Sequence, residues 1–480
     1  METNRDDVPM AVGACAKPVS LRIAYIGGGS RGWAHALMKD LLMCPGFTGE
    51  VRLYDVDRPM AELNARFANW LQSHPAAASK WKYRAVASLQ TALKQADFVF
   101  VSIQPGPIQL MKVDLEEPAK YGIFQSVGDT VGPGGCIRAL RSIRDYQVIG
   151  EAIAQYAPQA WTVNFTNPMT ICTRALYESF PNIKAFGCCH EVFGAQRMLG
   201  RVYASMTKEP EPSRRDIDIN VLGINHFTWI DRATYRGTDL LMLLREYLAR
   251  PGVLRAYTRR QVEAKRNSFI SQDQVSFELF RRFGVLPAAG DRHLAEFVPW
   301  FLTSADSCFR WGFCLTPYSY RLQRYRNAPK RFRQVMRSGS FPALSRSGEE
   351  YLNQMLALTG HGTRRTNVNL PNCGQMQDIP AGAVVETNAL FSKDKVEPIR
   401  SGRLPKNVNV LVLRHVLNQE SLIQAVFTED KDLAFQAFLN DPLVSLPLDD
   451  AWRLFNAMLK KTHFAFKSQV RARRMPRRVS

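Results

Sequence analysis

Short apolar runs alternate with amphipathic segments over the first two hundred residues. Apolar side chains recur every three or four positions, which is typical of helices, in residues 33–44, 59–71 and 136–156. Residues 21–26 form a short apolar run and residues 96–103 a further buried strand, and residues 50–55, 161–166 and 184–188 are predicted as strands as well. Strands that alternate with helices predict an α/β fold with a Rossmann-like, doubly wound parallel sheet.

The pattern changes after about residue 216. Residues 216–222 alternate polar and apolar side chains, and we expect residues 227–230 to continue the sheet. Residues 240–282 are mostly helical and rich in Arg and Leu. We therefore expect a second, C-terminal α+β part, with a boundary near residue 200.

The composition is that of a globular protein with a buried core. Of the 480 residues, 46% are hydrophobic and 22% are charged, and no apolar run is long enough to span a membrane. Residues 1–20 carry charges where a signal peptide has its apolar core, so we interpret them as a disordered lead-in. Nine cysteines, an odd number without a disulfide framework, favour a cytoplasmic protein.

Basic residues outnumber acidic ones, 63 to 43, which gives a net charge of +20. Six positive charges and no acid lie between Lys467 and Arg478. We interpret residues 466–480 as a solvated basic tail, the alternative being a nucleic-acid-binding arm. The positive charge on the rest of the chain favours an acidic ligand, but a net charge does not identify that ligand.

A glycine-rich turn follows the first predicted strand. The run Gly27-Gly28-Gly29-Ser30-Arg31-Gly32 matches G-x-G-x-x-G between that strand and a helix. Glycines allow a tight turn and the close approach of a pyrophosphate. Asp55 ends the second strand, where a carboxylate accepts hydrogen bonds from ribose hydroxyls and repels a 2′-phosphate. The pattern predicts NAD rather than NADP; the alternative is a glycine turn without a ligand.

Cys189 and His226 are candidates for a metal site. They lie in the runs Gly187-Cys-Cys-His-Glu-Val-Phe193 and Gly223-Ile-Asn-His-Phe227. A thiolate and a neutral imidazole leave other coordination positions open for substrate oxygens, as in a catalytic metal site. The alternative is a buried free cysteine beside a core histidine.

Two further segments are candidates for ligand contacts. Residues 128–135 are rich in glycine and precede a helix, so their amides could hold an anion or line a nicotinamide pocket. Asn167 follows a predicted strand, at the sheet edge where ligands collect, and its amide can bond sugar hydroxyls. The alternative for Asn167 is a helix cap before Pro168.

In combination these motifs resemble the family 4 glycoside hydrolases, the NAD- and metal-dependent glycosidases that share a fold with lactate and malate dehydrogenases. The resemblance covers roughly residues 21–300 and rests on motifs that occur in family order, namely Gly27–Gly32, Asp129–Gly135, Asn167-Pro168-Met169, Cys189-His190 and Asn225-His226. The run Cys189-His190-Glu191-Val192 resembles the α-galacturonidase branch, mostly through Glu191. The resemblance implies an NAD-binding domain over residues 21–200 and a substrate, metal and oligomerisation domain over residues 201–465.

The mechanism implied by the resemblance differs from that of glycosidases with two carboxylates. NAD⁺ takes hydride from C3 of the sugar, and a divalent metal, expected to be Mn²⁺, stabilises the enolate formed when a base removes the C2 proton. The C1 substituent then leaves by elimination, water adds, and NADH returns the hydride.

The resemblance also implies residue roles. Cys189 and His226 would hold the metal, Asn167 would bind the sugar, and His190 would assist the leaving oxygen. For the base we choose Asp291, with His293 as the second choice; Asp291 could instead cap a helix or pair with an arginine.

A galacturonide carries a C6 carboxylate, which needs a cation, ideally a guanidinium. Arg138 and Arg292 are the candidates, with the pair Arg364-Arg365 as a further one, and each could instead be a surface arginine. Glu191 would bind the axial hydroxyl or a helper arginine.

Two other functions remain open. The first is an NAD-dependent dehydrogenase of a sugar acid or hydroxy acid, because the fold is shared. The second is an inactive NAD or sugar sensor whose basic tail binds nucleic acid. The resemblance suggests a homodimer or homotetramer that acts on a small sugar and contacts neither membrane nor nucleic acid.

Overall fold

The structure, a computed structural model, describes residues 17–467. The predicted lead-in and basic tail lie almost entirely outside the described residues.

The first half alternates strands and helices as predicted. Its strands are β1 Val19–Ile26, β2 Phe47–Tyr54, β3 Trp81–Ala85, β4 Phe98–Val101, β5 Trp161–Asn164 and β6 Lys184–Gly187. Its helices are α1 Trp33–Leu42, α2 Arg58–Leu71, α3 Leu89–Leu93, α4 Leu110–Ala119, α5 Gly132–Tyr156, α6 Met169–Ser179 and α7 Glu191–Thr207. The sequence pattern missed only the short strand β3 among these strands.

The second half mixes strands and helices. Its strands are β7 Asp218–Ile224, β8 Phe227–Tyr235, β9 Thr238–Asp239, β10 Leu286–Pro287, β11 Arg364–Pro371, β12 Val384–Ser392 and β13 Lys395–Pro398. Its helices are α8 Leu240–Leu248, α9 Arg259–Glu263, α10 Gln274–Phe283, α11 Asp291–Leu294, α12 Ser307–Arg310, α13 Tyr318–Ser338, α14 Tyr351–Leu358, α15 Lys406–Phe427, α16 Lys431–Leu439 and α17 Leu448–Lys461.

The central sheet has nine strands in the order β13-β12-β11-β6-β5-β4-β1-β2-β3. The strands from β6 to β3 are parallel, with the order 3-2-1-4-5-6 of a dinucleotide-binding fold. Strands β11, β12 and β13 extend the sheet by antiparallel pairing. The predicted fold class is confirmed, and the C-terminal half shares the sheet of the first half.

One expectation about the sheet is wrong. Strands β7 and β8 do not continue the central sheet but form a separate four-stranded sheet with β9 and β10. A tight connection joins β7 to β8, with Ile224 paired to Phe227, so the two strands pair with each other. That hairpin places Asn225 and His226 at its tip.

Helices cover both faces of the central sheet. Apolar residues of α5, α6, α15, α16 and α17 form one buried cluster with β1 and β4. Residues of α1, α2 and α14 form a second cluster on the opposite face. Because both faces are covered, ligands are confined to the carboxyl ends of the parallel strands.

Candidate functional site

The glycine-rich turn connects β1 to α1 at the carboxyl end of β1. Gly27 has φ of +89°, and a Cβ there would lie 2.0 Å from the carbonyl oxygen of Ser102. At Gly28 a Cβ would lie 2.6 Å from Cβ of Leu53. Only glycine fits at these two positions, so the turn lies directly against the ends of β4 and β2.

The buried side chains of Asn64 and His35 hold the glycine-rich turn in place. Asn64 of α2 donates to the carbonyls of Gly28 and Ser30, at 2.8 and 2.9 Å. His35 of α1 lies 2.8 Å from the amide oxygen of Asn64, and burial lowers the pKa of His35 to about 4. A neutral His35 therefore holds Asn64, which fixes the turn in one conformation.

Asp55 directly follows β2 and faces the turn. Its Oδ2 accepts a hydrogen bond from the backbone N–H of Gly29 at 2.8 Å, and its Oδ1 accepts one from Asp57 at 2.8 Å. A carboxylate has lone pairs left for ribose hydroxyls after these two bonds. The position and the chemistry fit the predicted dinucleotide.

A cavity of about 470 Å³ opens beside this edge of the sheet. Its lining includes the predicted residues Asn167, Cys189, His190, Glu191, His226 and Arg292. It also includes Trp33, which begins α1 directly after the glycine-rich turn. The cavity therefore adjoins the dinucleotide turn, as a hydride-transfer site requires.

Cys189 and His226 lie together in this cavity. Sγ of Cys189 is 3.5 Å from Nε2 of His226, and both residues are buried. Two ligands of one divalent ion, at the usual bond lengths near 2 Å, are about 3–4 Å apart. Burial raises the pKa of the Cys189 thiol well above its usual value, so a nearby cation is needed to stabilise the thiolate.

Hydrogen bonds orient the imidazole of His226. The Thr130 hydroxyl donates to Oδ1 of Asp129 at 2.9 Å, and its oxygen lies 3.0 Å from Nδ1 of His226. Nδ1–H of His226 then donates to Thr130, which leaves the lone pair of Nε2 facing Cys189. Burial lowers the pKa of His226 to about 3, so the imidazole is neutral, as a metal ligand must be.

Sequence reasoning missed the role of Asp129. Ligand atoms of Asp129, His226 and His293 lie within 4.8 Å of one another. Burial opposes the ionisation of Asp129, but nearby His293, Arg138 and Arg321 outweigh it and hold the pKa of that carboxyl below its ordinary value. The loop at residues 128–135 was expected to act through backbone amides, and the structure adds a carboxylate beside the metal pair.

Asn167 faces the cavity, whereas Arg138 does not line it. Oδ1 of Asn167 is buried and has no hydrogen-bond partner among the described residues. Buried polar atoms are usually hydrogen-bonded, so this oxygen is suited to accept a bond from a ligand. Arg138 is also buried, and its Nε donates to the carbonyl of Asn167 at 3.0 Å. Arg138 therefore contacts the backbone of Asn167 and does not line the cavity itself, and its binding of the substrate stays a prediction.

His190 and Glu191 both line the cavity, and each has a specific partner. Nδ1 of His190 lies 2.9 Å from Oε1 of Glu349, a residue that no motif indicated. Burial opposes protonation, but Glu349 outweighs it and raises the pKa of His190 to about 9. Glu191 accepts from the backbone N–H of Gly290 at 2.8 Å, which links α7 to the segment before Asp291.

Asp291 does not face the cavity. It is fully buried, and its two oxygens accept four backbone N–H groups, from Gln272, Gln274, Val275 and Ser276, at the start of α10. Burial, together with Asp273, raises the pKa of Asp291 to about 7. These four bonds place Asp291 as a cap of α10, away from the cavity lining, whereas His293, the second choice for the base, lines the cavity. The identity of the base stays a prediction.

Two arginines line the cavity. Arg292 donates from Nη2 to Ser126 and Thr316, and Arg321 donates from Nη2 to the carbonyl of Val127 at 3.1 Å. The Nε atoms of both arginines are buried and have no hydrogen-bond partner within residues 17–467. Arg364 and Arg365 are not among the residues that line the cavity, and they pair with Glu350 and Asp218.

A buried polar group lies behind the metal pair. Glu386 of β12 accepts from the amides of Asn225 and Asn367, at 3.1 and 2.6 Å. Asn225 precedes His226, and Asn367 also lies 3.4 Å from the carbonyl of Cys189. The antiparallel extension of the sheet therefore fixes the segments that carry Cys189 and His226.

None of the helices described between residues 17 and 467 is long and apolar enough to cross a membrane.

Comparisons with known proteins agree with this geometry. The model of the family 4 glycosyl hydrolases matches residues 22–204, and that of the family's C-terminal domain matches residues 221–444. An alpha-galacturonidase of Thermoanaerobacterium saccharolyticum is 49% identical over 92% of this chain and 96% of its own length. An alpha-galacturonidase of Bacillus subtilis is 47% identical over 92% of this chain and 97% of its own.

Solved structures show the same likeness. The crystal structure of a glucosidase candidate from Bacillus subtilis is 47% identical, with a TM-score of 0.86 over 92% of this chain and 100% of that one. A 6-phospho-alpha-glucosidase from gut microorganisms, solved with NAD and Mn²⁺, is 19% identical with a TM-score of 0.75 over 94% of this chain and 100% of that one. The chain belongs to the family 4 glycosyl hydrolases.

Proposed function

We propose that this chain is an α-galacturonidase that depends on NAD and Mn²⁺. The main support for this proposal is that Cys189, His226, Arg292 and Arg321 line one cavity beside the glycine-rich turn. The alpha-galacturonidases that are 47–49% identical support the same substrate class.

The residues fit both cofactors. Glycines at residues 27 and 28 bring the backbone close to a pyrophosphate, and Asp55 is placed for the ribose. Sulfur and nitrogen donors from Cys189 and His226, with the Asp129 carboxylate nearby, suit a divalent transition metal better than Mg²⁺ or Ca²⁺. When bound, NAD⁺ would accept and return a hydride, and the metal would act as a Lewis acid.

The remaining side chains have roles that follow from position. The unpartnered oxygen of Asn167 accepts a sugar hydroxyl, and Arg138 keeps Asn167 in place. Glu349 holds His190 in the cavity wall, where a protonated imidazole can donate to the leaving oxygen. Of the two residues considered for proton removal at C2, only His293 lines the cavity.

The two cavity arginines suit the C6 carboxylate. A guanidinium pairs with a carboxylate through parallel hydrogen bonds, and the Nε of each arginine has no hydrogen-bond partner in the described part of the chain. Arg292 also lies over the ring of Phe269 at 4.8 Å, which fixes the plane of its guanidinium. A neutral galactoside would leave the buried Arg292 and the half-buried Arg321 without an anionic partner, so the cavity favours the uronide.

The test is release of the aryl alcohol from an aryl α-galacturonide, with and without NAD⁺ and Mn²⁺, in reducing buffer. The matched controls are the aryl α-galactoside and α-glucoside. Release only from the uronide, and only with both cofactors, is the expected result. Accumulation of NADH without release would favour a dehydrogenase instead.

We further propose a cytoplasmic homodimer or homotetramer. The cysteines that the structure describes are free thiols, and most of them are buried, which suits a reducing compartment. Val410 and Leu417 are two turns apart on the same face of α15 and are 61% and 47% exposed, which suits a subunit interface. Light scattering of the purified protein measures the oligomeric state.

A further inference from the structure

Helix α13 carries an unusual charge pattern. Its 21 residues include seven basic side chains and no acidic one, and none of its residues is buried. The half-buried Phe332, Val335 and Met336 pack its second half against the cluster of Leu42, Phe67 and Leu71. Its first half lacks such packing and is held by a few specific contacts.

Those contacts reach both ligand sites. In the first turn, Arg321 lines the substrate cavity. One turn later, the ring of Tyr325 lies 3.5 Å from the guanidinium of Arg31, which belongs to the glycine-rich turn. Near the other end, the ring of Phe332 stacks on His35 of α1 at 3.8 Å.

We propose that α13 couples the dinucleotide site to the acidic-sugar site, with Tyr325 as the positioning residue that links Arg31 to Arg321. The inference rests on the proposed function, since it assumes an NAD cofactor and a uronate substrate. It goes beyond that function by assigning cooperativity between the two ligands to one helix.

The argument follows from spacing and charge. Arg321 and Tyr325 are four residues apart, so they lie on the same face of α13, one turn from each other. A pyrophosphate at the glycine-rich turn attracts both Arg31 and the basic helix, and it therefore favours the docked position of α13. Once α13 is docked, a uronate meets an Arg321 that is already ordered, so its binding costs less conformational entropy.

The test is calorimetric titration of the Mn²⁺-loaded protein with galacturonate, with and without saturating NAD⁺. We expect NAD⁺ to tighten galacturonate binding about tenfold, within the range of typical coupling between sites. Galacturonate must then tighten NAD⁺ binding by the same factor.

Three variants of α13 separate coupling from general effects. Tyr325→Ala should reduce the tenfold enhancement to less than about twofold while the protein still binds each ligand alone. Tyr325→Phe keeps the ring over Arg31 and should keep the enhancement. Arg326→Ala removes an exposed charge from the same helix and should also keep it.

Two results would overturn the coupling: galacturonate binding by the unchanged protein that does not depend on NAD⁺, or full enhancement in Tyr325→Ala. Equal loss in Arg326→Ala would also overturn it, since net charge would then explain the effect. Failure of the proposed function is a separate result, namely no hydrolysis of the aryl galacturonide by a protein that binds both ligands cooperatively.

Discussion

The dinucleotide half and the sugar half of the site are built in different ways. The dinucleotide half is one turn, residues 27–32, closed by the bond from Gly29 to Asp55. The sugar half is assembled from five distant segments, which contribute Asp129, Asn167, Cys189, His226 and Arg321. The dinucleotide half depends on close backbone packing, which leaves no room for a side chain at Gly27. The sugar half depends on the donor atoms of individual side chains.

This difference decides what each half tolerates. A single added methyl group should break the dinucleotide half, because Gly27 has no room for a Cβ. In the sugar half, replacing a single donor atom without changing the shape of the side chain should abolish activity. Metal affinity depends on the identity of the donor atoms, and the proposed ligands are the sulfur of Cys189 and the nitrogen of His226.

The largest expected effect is on the metal ligand. Cys189→Ser replaces sulfur by oxygen and should lower Mn²⁺-dependent turnover at least about 100-fold, because the metal loses a direct ligand. NAD⁺ affinity and the melting temperature should stay close to those of the unchanged protein. Steady-state kinetics with a metal titration measure the loss.

The matched control for this change is Cys373→Ser, an exposed thiol. It should leave turnover unchanged. Full activity in Cys189→Ser would remove Cys189 from the metal site.

The glycine-rich turn offers a paired test of backbone crowding. Gly27→Ala should lower the free energy of unfolding by about 3 kcal/mol or more and abolish NAD⁺ binding, since Cβ would meet the carbonyl of Ser102 at 2.0 Å. Gly32→Ala should be almost neutral, because a Cβ there has nothing within 4 Å. Denaturant unfolding and NAD⁺ titration of both variants measure the contrast, and equal losses would contradict it.

Asp291 tests whether a carboxylate near the cavity acts on structure or on substrate. Asp291→Asn should lower the free energy of unfolding by about 1–3 kcal/mol, because the amide group turns a donor toward backbone N–H groups. Exchange of the C2 hydrogen with deuterated water should continue in the folded fraction, which nuclear magnetic resonance measures. Slowed exchange at unchanged stability would restore Asp291 as the base.

Asp273→Asn is the control at the same helix end, since the Asp273 side chain makes no capping hydrogen bond. Its pair with Arg201 is at the surface, so the expected cost is below about 1 kcal/mol.

The parallel part of the fold could be predicted from the sequence, and the extension of the sheet could not. Strand β4 is buried at every residue, and β1, β5 and β6 are buried over most of their length, so hydrophobic residues mark them in the sequence. Strand β2 is buried at alternate positions near its end, Val51 and Leu53, which periodicity also detects. Strand β11 joins the sheet beside β6, across a long separation in sequence, and its residues Thr366, Asn367 and Asn369 are buried polar side chains. Their hydrogen bonds to the site, rather than an apolar pattern, account for that strand, and such bonds are invisible without the partner.

The candidate site likewise contains residues that the sequence predicted and residues that it did not. The motifs located the glycine-rich turn, Asn167, Cys189 and His226, because each lies at a strand end that the pattern had already placed. Glu349, which contacts His190, and Arg321, which lines the cavity, were missed, since both lie far along the chain from the motifs. For Asp291 the sequence cannot distinguish a capping carboxylate from a catalytic one, whereas the structure shows four backbone N–H groups bonded to it.

The smallest expected effect concerns Asp55, which combines a hydrogen-bonding role with a charge. Asp55→Ala should weaken NAD⁺ binding about tenfold and narrow the preference for NAD⁺ over NADP⁺, because it removes both the ribose acceptor and the charge that repels a 2′-phosphate. Asp55→Asn keeps an acceptor for Gly29 but loses the charge, so it should retain more NAD⁺ affinity while it narrows the preference equally. Glu62→Ala, an exposed acid on α2, should change neither affinity. If both Asp55 variants bind NAD⁺ and NADP⁺ as the unchanged protein does, Asp55 only closes the turn, and the dinucleotide half then depends on its backbone alone.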